Sequence, residues 1–391
     1  MTQNRNIYLD HAATTKLSAS MQAYLASLLN VYGNPSSLHS LGEQTKQIIT
    51  NARQSVAEFI HAGPQDIYFT PSAAAANTLA IKGLTLEDSQ RNQYEVFYSP
   101  TAHKSMLMAC ESCISHTPLK VHPTGEIDLS CLEDILTRHS LHKRHLKPLV
   151  CIEAANSEVG AINDVIGIGS IVHRHNGILA VDATGYIPSY PVAMDLWKKH
   201  VDILTFSGHK LHALKGVGIL WKQPAIELKP LIYGSQEQGL IGGTENILGI
   251  ASLGKAVKDY DYSSITSLSR DSVYDYIIHH IPDSYLIGPV KRRLPHNLYM
   301  CFRGVEGESL MMLLDGHHIQ VSTGSACNSG DLSASAALSA MGIGEEDIHS
   351  CIRFSFGGQE SKEELDYVCE TLKKCVADLR TLNTEQNIEF S

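Results

Sequence analysis

Two polar side chains follow neighbouring apolar segments in the middle of the chain. Asp182 ends the run Ile178–Val181, and Lys210 comes shortly after Ile203–Ser207. Ligands of open α/β sheets bind beyond the carboxyl ends of the strands, so both residues are placed to meet one ligand. A lysine that forms a Schiff base and an aspartate that keeps a pyridine nitrogen protonated suit pyridoxal phosphate. The alternative is that both are ordinary solvated residues at strand ends.

Cys327 lies in a run of small and polar residues, Ser322–Gly330. A loop of this composition exposes its side chains, and exposure distinguishes a reactive thiol from a buried inert one. None of the other eight cysteines has such neighbours. We therefore expect Cys327 to be the reactive thiol, the alternative being a spare surface thiol. Cys110-x-x-Cys113 has no second pair of ligands, so no metal site is expected.

The composition is that of a globular protein with reduced thiols. Hydrophobic residues make up 43% and charged residues 18% of 391 residues, and the formal net charge is −10. This acidic balance argues against non-specific binding to nucleic acid or membrane surfaces. Nine scattered cysteines do not resemble a secreted disulfide framework, and the chain shows neither a secretory signal nor a long apolar segment. We expect a cytoplasmic protein without membrane segments or direct contact with nucleic acid.

Short apolar strands alternate with helical patterns through the first two-thirds of the chain, which predicts an α/β layer with a mostly parallel sheet. The predicted strands are Asp66–Thr70, Glu95–Ser99, Leu119–His122, Leu149–Ala154, Ile178–Ala183, Ile203–Ser207 and Val217–Trp221. The predicted helices of this part are Ser40–Ile60, Asp164–His175 and Ser189–His200. After residue 258 a polar segment leads into a second, smaller α+β unit. Its last helix is opened by the capping box Ser361-x-x-Glu364.

An ordered series of motifs resembles the cysteine desulfurases of the NifS/IscS type, which belong to the class-V aminotransferase-like enzymes. Order and spacing hold across nearly the whole chain. The motifs are Tyr8–Thr15, Gly33–His39, Asn77–Gly83, His103–Ser105, Val181–Thr184, Ser207–Lys210, Gly242–Thr244, Gly324–Cys327 and Ile352–Ser355. The resemblance implies the α/β fold type I of pyridoxal-phosphate-dependent transferases. Residues 16–258 would form the large cofactor-binding domain, and residues 1–15 with 259–391 the small domain.

The resemblance also implies which residues bind the cofactor. Lys210 holds pyridoxal 5'-phosphate covalently and moves the Cα proton of the substrate, Asp182 pairs with the ring nitrogen, and His103 stacks on the ring and assists proton transfer. Thr244 reaches the phosphate in the partner subunit's site, which implies a homodimer. The other cofactor-binding residues implied are Ser207, His209, Ala73, Ala74 and Ser157.

For the substrate, the resemblance implies L-cysteine. Arg353 takes its carboxylate, with Asn34 and Ser157 beside it. Cys327 attacks the substrate sulfur and becomes a persulfide, and L-alanine is released. The persulfide passes to an acceptor protein, so the Cys327 segment must move. An iron–sulfur cluster scaffold, a tRNA-thiolation protein and a nucleic-acid sulfur-modification system all stay open as the acceptor.

Departures from the family pattern cluster around the cofactor. Ala74 stands where a hydroxyl is usual, Ser157 where an asparagine is usual, Gly185 where a glutamine is usual and Ile241 where an arginine is usual. Each lost hydrogen bond costs about 0.5–1.5 kcal/mol. Two alternatives follow from these departures. The chain is a selenocysteine lyase, cysteine-sulfinate desulfinase or other class-V enzyme, or it is a non-catalytic paralogue that acts as a partner subunit.

Overall fold

The computed structural model describes residues 6–86, 93–143, 145–323 and 335–389, with side chains as far as residue 383. Its strands are β1 (Ile7–Tyr8), β2 (Ile67–Thr70), β3 (Tyr94–Tyr98), β4 (His116–Pro118), β5 (Lys147–Glu153), β6 (Ile178–Asp182), β7 (Ile203–Ser207), β8 (Gly218–Lys222), β9 (Ser284–Leu286), β10 (Asn297–Phe302), β11 (Ile319–Gln320) and β12 (Cys351–Ser355). Its helices are α1 (Ala19–Leu28), α2 (Ser40–Phe59), α3 (Ala73–Thr85), α4 (Lys104–Glu111), α5 (Leu129–His142), α6 (Val165–Arg174), α7 (Met194–Trp197), α8 (Ile247–Lys258), α9 (Leu268–His280), α10 (Gly307–Gly316), α11 (Ala336–Ala340), α12 (Glu345–Ile348) and α13 (Lys362–Glu389).

A seven-stranded sheet forms the centre of the first part of the chain, in the order β2-β8-β7-β6-β5-β3-β4. Its strands are parallel except β8, which is antiparallel to both neighbours. Alternate residues of each central strand enter two different apolar clusters, one on each face of the sheet. Burial on both faces explains why these strands are continuous apolar runs rather than alternating ones. The predicted α/β class with a mostly parallel sheet is confirmed.

Two of the predicted elements are wrong. Leu119–His122 lies beyond β4, and of these residues only Val121 forms an isolated bridge, with Ile127. The helix predicted over Ser189–His200 is limited to the four residues of α7. Pro191 explains the shortening, because it lacks an N–H donor and disfavours helical backbone at the residue before it.

A second core lies around the three-stranded antiparallel sheet β12-β10-β9. Helices α9, α10 and α13 contribute apolar side chains to it, as does the short strand β1, which pairs with β11 in parallel. The chain start therefore packs with residues more than 300 positions away. The predicted capping box is present at the start of α13, where Glu364 N donates to Ser361 Oγ at 3.2 Å and Ser361 N donates to Glu364 Oε2 at 2.8 Å. None of the helices described is long and apolar enough to cross a membrane.

Candidate active site

The carboxyl edge of the seven-stranded sheet collects the polar residues predicted from the sequence. Asp182 ends β6, Ser207 ends β7, and Lys210 lies in the short 3₁₀ turn that follows β7. His103 is the N-cap of α4, and its ring nitrogen Nδ1 accepts a hydrogen bond from Ser105 N at 3.2 Å. Helix α3 begins at the same edge, directly after β2. The topology therefore brings together residues that are up to 137 positions apart.

Lys210 has the properties of an amine that can act as a nucleophile. Removal from water and, to a smaller extent, the nearby charge of Arg353 lower the pKa of Lys210 from 10.5 to about 8. Asp182 and Asp10 act in the opposite direction, because their carboxylates favour the charged amine. A substantial fraction of the amine is thus neutral near pH 8, the form that attacks a carbonyl carbon.

Asp182 is held in one orientation by hydrogen bonds to both carboxylate oxygens. Asn77 Nδ2 donates to Oδ2 at 2.7 Å, and Thr184 N donates to Oδ1 at 2.8 Å. Asn77 is itself fixed by Thr205, whose hydroxyl donates to Asn77 Oδ1 at 2.5 Å. Desolvation is the largest effect on His103, and it lowers the pKa of this imidazole. Of the two nearby charged groups, Asp182 raises the pKa of His103 and Lys210 lowers it. The neutral imidazole is therefore favoured.

Arg353 occupies the opposite side of the site, on β12. Its Nη2 lies 2.7 Å from Asp10 Oδ1, and its Nη1 donates to Ser157 O at 3.2 Å. The third nitrogen, Nε, is buried and has no hydrogen-bond partner among the residues described. A buried guanidinium with a free donor is suited to an incoming carboxylate. The sequence indicated Arg353 but not Asp10, whose ion pair spans 343 positions.

A second buried carboxyl lies next to Asp182, on the neighbouring strand β5. Glu153 stands directly opposite Asp182 in the parallel pair β5–β6 and is 5% exposed. Its Oε1 accepts hydrogen bonds from Thr101 Oγ1 at 3.0 Å and from Asn156 Nδ2 at 2.8 Å. Burial raises the pKa of Glu153 to about 8, against the lowering effect of those two hydrogen bonds. Glu153 is thus protonated at neutral pH, and the sequence analysis did not single it out.

Comparison with known proteins identifies the family. The sequence profile of the class-V aminotransferases matches residues 7–368. Cysteine desulfurase IscS from Dictyoglomus turgidum is 34% identical over 391 residues, which cover 97% of this chain and 96% of that protein. A cysteine desulfurase from Nostoc sp. is 34% identical over 98% of this chain and 96% of its own length. This chain belongs to the cysteine desulfurases of the class-V aminotransferase family.

Solved structures show the same family relationship. The NifS-like protein from Rickettsia africae superimposes with a TM-score of 0.85 at 26% identity, covering 95% of this chain and 99% of that one. SspA in complex with cysteine superimposes with a TM-score of 0.77 at 26% identity, covering 91% of this chain and 100% of that one. The fold type predicted from the resemblance is confirmed.

One departure from the usual cysteine desulfurase pattern has a structural reason. Gly185 lines the cavity beside Lys210, together with Ser157 and Thr184. A Cβ atom at position 185 would lie 2.5 Å from Ala155 O, closer than real side chains approach backbone. A glutamine here would require the backbone to shift. The space beside Ala155 O thus admits only a glycine at position 185. The nearby Thr184 hydroxyl is a buried oxygen without a hydrogen-bond partner in the described part of the chain.

Several predicted site residues lie outside this cluster. Thr244 is exposed on the segment before α8, and Asn34 is exposed, with its Oδ1 accepting from Ser36 N at 2.9 Å. His209, by contrast, lies beside Lys210 in the same 3₁₀ turn; its Nδ1 is 3.2 Å from Thr14 Oγ1, and desolvation lowers the pKa of His209 to about 4. Cys327 lies outside the described residues. The residues that the structure does describe contain no group of three side chains suited to a metal ion.

The buried Glu153 predicts an unusual pH dependence of stability. Its pKa is about 8 in the folded protein against 4.5 for an ordinary glutamate. The folded state therefore holds a proton that the unfolded state releases, so the free energy of unfolding falls as the pH rises between these values. At 1.36 kcal/mol per pKa unit the decrease is on the order of 4 kcal/mol. We expect Glu153→Gln to remove this decrease, as measured by urea unfolding at pH 5 and pH 8.5.

The exposed Glu227 provides the control. Glu227→Gln should follow the wild-type pH dependence, because it removes a carboxyl at the surface and leaves Glu153 in place. An unchanged pH dependence in Glu153→Gln would show that Glu153 is ionised in the folded protein.

Proposed function

We propose that this protein is a pyridoxal-phosphate-dependent cysteine desulfurase that converts L-cysteine to L-alanine and carries the sulfur on Cys327 to an acceptor protein. The main support is the meeting of Asp182 and Lys210 at the carboxyl edge of the sheet, with Arg353 opposite them. Sequence identity to cysteine desulfurases over nearly the full length adds to it.

The described residues fit this cofactor. Asp182, oriented by two hydrogen bonds, would hold the pyridine nitrogen, and Lys210 would hold the aldehyde carbon covalently. The start of α3 would receive the phosphate through the N–H groups of Ala73 and Ala74, because the first N–H groups of a helix have no partners within it. Ser207 and His209 lie at the same edge. When bound, the cofactor supplies an electron sink for the charge that develops at the substrate Cα atom.

The remaining roles belong to side chains of this chain. Arg353 would bind the substrate carboxylate through its free Nε, and Ser157, whose carbonyl contacts Arg353, would line the same position. The Lys210 amine would take the proton from the substrate Cα atom. His103 would stack on the cofactor ring and assist this proton transfer in its neutral form. The lowered pKa of Lys210 suits this proton transfer near neutral pH.

The sulfur step requires Cys327 beside the substrate. As a thiolate, Cys327 would attack the substrate Sγ atom, the Cβ–Sγ bond would break, and a persulfide would form. The described residues on either side of the segment that carries Cys327 lie near Glu158, Ser335 by direct contact and Thr323 through Tyr299. Tyr299 Oη donates to Glu158 Oε1 or to Thr323 O, each at 3.2 Å, and Ser335 Oγ donates to Glu158 Oε1 at 2.6 Å. Since Glu158 adjoins Ser157 in the chain, these contacts support a position near the substrate.

The test is the replacement of Cys327. We expect Cys327→Ser to keep the absorbance of the bound cofactor but to form no persulfide and almost no alanine from cysteine, because a hydroxyl does not accept the sulfur. Mass spectrometry after exposure to cysteine and an alanine assay measure both. Cys131→Ser is the matched control, since Cys131 is a half-buried free thiol away from the site.

The outcome also separates the alternatives. Persulfide on wild-type Cys327 supports the desulfurase. Rapid alanine formation from selenocysteine by Cys327→Ser, with little from cysteine, would favour a selenocysteine lyase. Rapid alanine formation from cysteine sulfinate by the same variant would favour a desulfinase. A protein that binds no cofactor would be a non-catalytic paralogue.

We further propose a homodimer in which Thr244 completes the partner subunit's phosphate site. Thr244 does not line the cavity beside its own Lys210. Large apolar side chains nearby in sequence are exposed, with Ile232 at 61% and Tyr233 at 87%. Exposed apolar surface of this kind is typical of a protein–protein interface.

Mixed dimers test this arrangement. Lys210→Ala and Thr244→Ala subunits are each expected to be impaired alone. After the two are unfolded together and refolded, half of the sites in each mixed dimer would combine an intact Lys210 with an intact Thr244 from the partner. We expect activity to reappear in the mixture. No recovery in verified mixed dimers would place Thr244 in its own subunit's site.

The domain boundaries and the cellular location of the protein are part of the same proposal. We assign residues 16–258 to the large domain and residues 1–15 with 259–391 to the small domain, in agreement with the separate core around β10 and β12. All described cysteines are free thiols, which supports a reducing compartment and hence the cytoplasm. Iron–sulfur cluster assembly is one process that would use the transferred sulfur.

A further inference from the structure

Two cysteines of the three-stranded sheet face each other across neighbouring strands, on the face that packs against the large first core. Cys301 of β10 lies directly opposite Cys351 of β12 in an antiparallel pair, and both are buried. The adjacent pair is hydrogen-bonded, since Phe302 N donates to Ser350 O at 2.8 Å. Hydrogen-bonded and non-hydrogen-bonded pairs alternate along such a ladder, so the cysteines form a non-hydrogen-bonded pair with Cα atoms about 4.5 Å apart. Disulfides form at Cα separations of about 4.4–6.8 Å.

The two thiols converge on one acceptor. Cys301 Sγ lies 3.6 Å and Cys351 Sγ lies 3.0 Å from the carbonyl oxygen of Asp347. Their side chains therefore point to the same place rather than away from each other, as a cross-link requires. A hydrogen bond from the Cys351 thiol lowers the pKa of Cys301, which favours Cys301 as the attacking thiolate.

The carbonyl that both thiols approach belongs to a single short helical turn. Asp347 belongs to α12, which has only four residues. The turn is held by Arg303, whose guanidinium makes two hydrogen bonds of 3.0 Å to the Asp347 carboxylate and whose side chain is 61% exposed. Short elements held by exposed ion pairs open locally at low cost. Opening of α12 gives a small oxidant access to the thiols.

We propose that Cys301 and Cys351 form a reversible oxidation site, which a hydroperoxide converts to a disulfide. The Cys301 thiolate attacks one peroxide oxygen, the O–O bond breaks, and hydroxide or alkoxide leaves with a proton. The sulfenic acid so formed is attacked by the Cys351 sulfur, its hydroxyl leaves as water, and the S–S bond forms. Two thiols are oxidised by two electrons in total, and one peroxide is reduced.

The cysteine pair lies close to Arg353, because Cys351 and Arg353 belong to the same strand, β12. The next non-hydrogen-bonded pair along the ladder is Tyr299–Arg353, on the same face of the sheet as the two cysteines. A disulfide at Cys301–Cys351 ties the two strands together at this end. The oxidised protein should therefore exchange the backbone N–H hydrogens of β10 and β12 more slowly than the reduced protein.

The experiment treats the full-length holoenzyme with hydrogen peroxide, blocks free thiols with an alkylating reagent, and maps the peptides by mass spectrometry. We expect a linked pair of peptides that contain Cys301 and Cys351, and its loss after dithiothreitol. Cys110 and Cys151 are the internal control, because they also interact in the core but belong to a helix and a strand rather than to facing strands. They should stay fully alkylatable after unfolding.

Two results would overturn the proposal. One is that Cys301 and Cys351 remain reduced while Cys327 is oxidised. The other is that Cys301 pairs with a cysteine other than Cys351. The variant Cys351→Ser provides a further check, since it should leave Cys301 as a sulfenic acid that a dimedone probe traps. Because the wild-type peptide map decides the question by itself, a variant that fails to fold does not weaken the test.

Discussion

Lys210→Ala is expected to abolish covalent cofactor binding and nearly all alanine formation. Under the proposed function this amine, in the 3₁₀ turn after β7, attaches the cofactor and moves the Cα proton. Loss of the proton-transfer role alone lowers rates by about 10²–10⁴. The absorbance spectrum of the purified protein and an alanine assay measure the two effects independently.

Lys215→Ala is the matched control. Lys215 is exposed five positions further along, so its replacement should change neither the spectrum nor the rate appreciably. A Lys210→Ala protein that still forms alanine at the wild-type rate would refute the assignment of Lys210. A normal absorbance spectrum, with the cofactor bound covalently to another lysine, would assign the attachment site to that lysine.

Arg353→Gln is expected to impair both cysteine binding and folding. The guanidinium is 7% exposed and forms an ion pair with Asp10 at 2.7 Å. Asp10, whose side chain is 21% exposed, then keeps a half-buried charge without its partner, which costs about 1–3 kcal/mol of the free energy of unfolding. The substrate carboxylate also loses its partner, and a KM increase of roughly a hundredfold follows from a loss of about 2.7 kcal/mol.

A double replacement separates the two effects. Asp10→Asn with Arg353→Gln removes both charges, so stability should largely return while the KM for cysteine stays high. Urea unfolding and steady-state kinetics measure these quantities. Arg353→Lys keeps a positive charge but not the planar pair of donors, so it should fold well and bind cysteine poorly. If the double variant bound cysteine normally, the carboxylate site would lie elsewhere.

The local patterns that predicted the sheet were reliable because strands buried on both faces need continuous apolar runs. The ends of those runs also located Asp182 and Lys210. Asp10 and Asn77 were inside recognised motifs, yet their partners could not be inferred, because those partners are far away in sequence. The role of Glu153 was hidden for another reason. A glutamate at the end of an apolar strand is usually a solvated residue, and only the fold reveals that this one is buried opposite Asp182.

Gly185 shows how a sequence departure can be misinterpreted. Compared with its family, the chain lacks a glutamine side chain there, which suggests a lost hydrogen bond to the cofactor. The structure adds that the Ala155 carbonyl occupies the space such a side chain would need. A glutamine at this position would therefore need the backbone to shift, and the effect on cofactor affinity is not obtained by counting donors. The helix predicted at Ser189–His200 was wrong for the simpler reason that Pro191 outweighs a weak periodic pattern.

The attachment of Thr323 and Ser335 around Glu158 sets a limit on where sulfur can be delivered. Residue 327 is four peptide units from Thr323, and an extended chain spans at most about 3.6 Å per residue. The Cα atom of Cys327 therefore stays within roughly 14 Å of the Thr323 Cα atom, whatever path the segment takes. With Cys327 as the proposed sulfur carrier, an acceptor must bring its own thiol to within that distance plus the reach of the Cys327 side chain and its outer sulfur. The length of chain between Thr323 and Cys327, and not the affinity of the acceptor alone, thus limits which proteins could receive sulfur from Cys327.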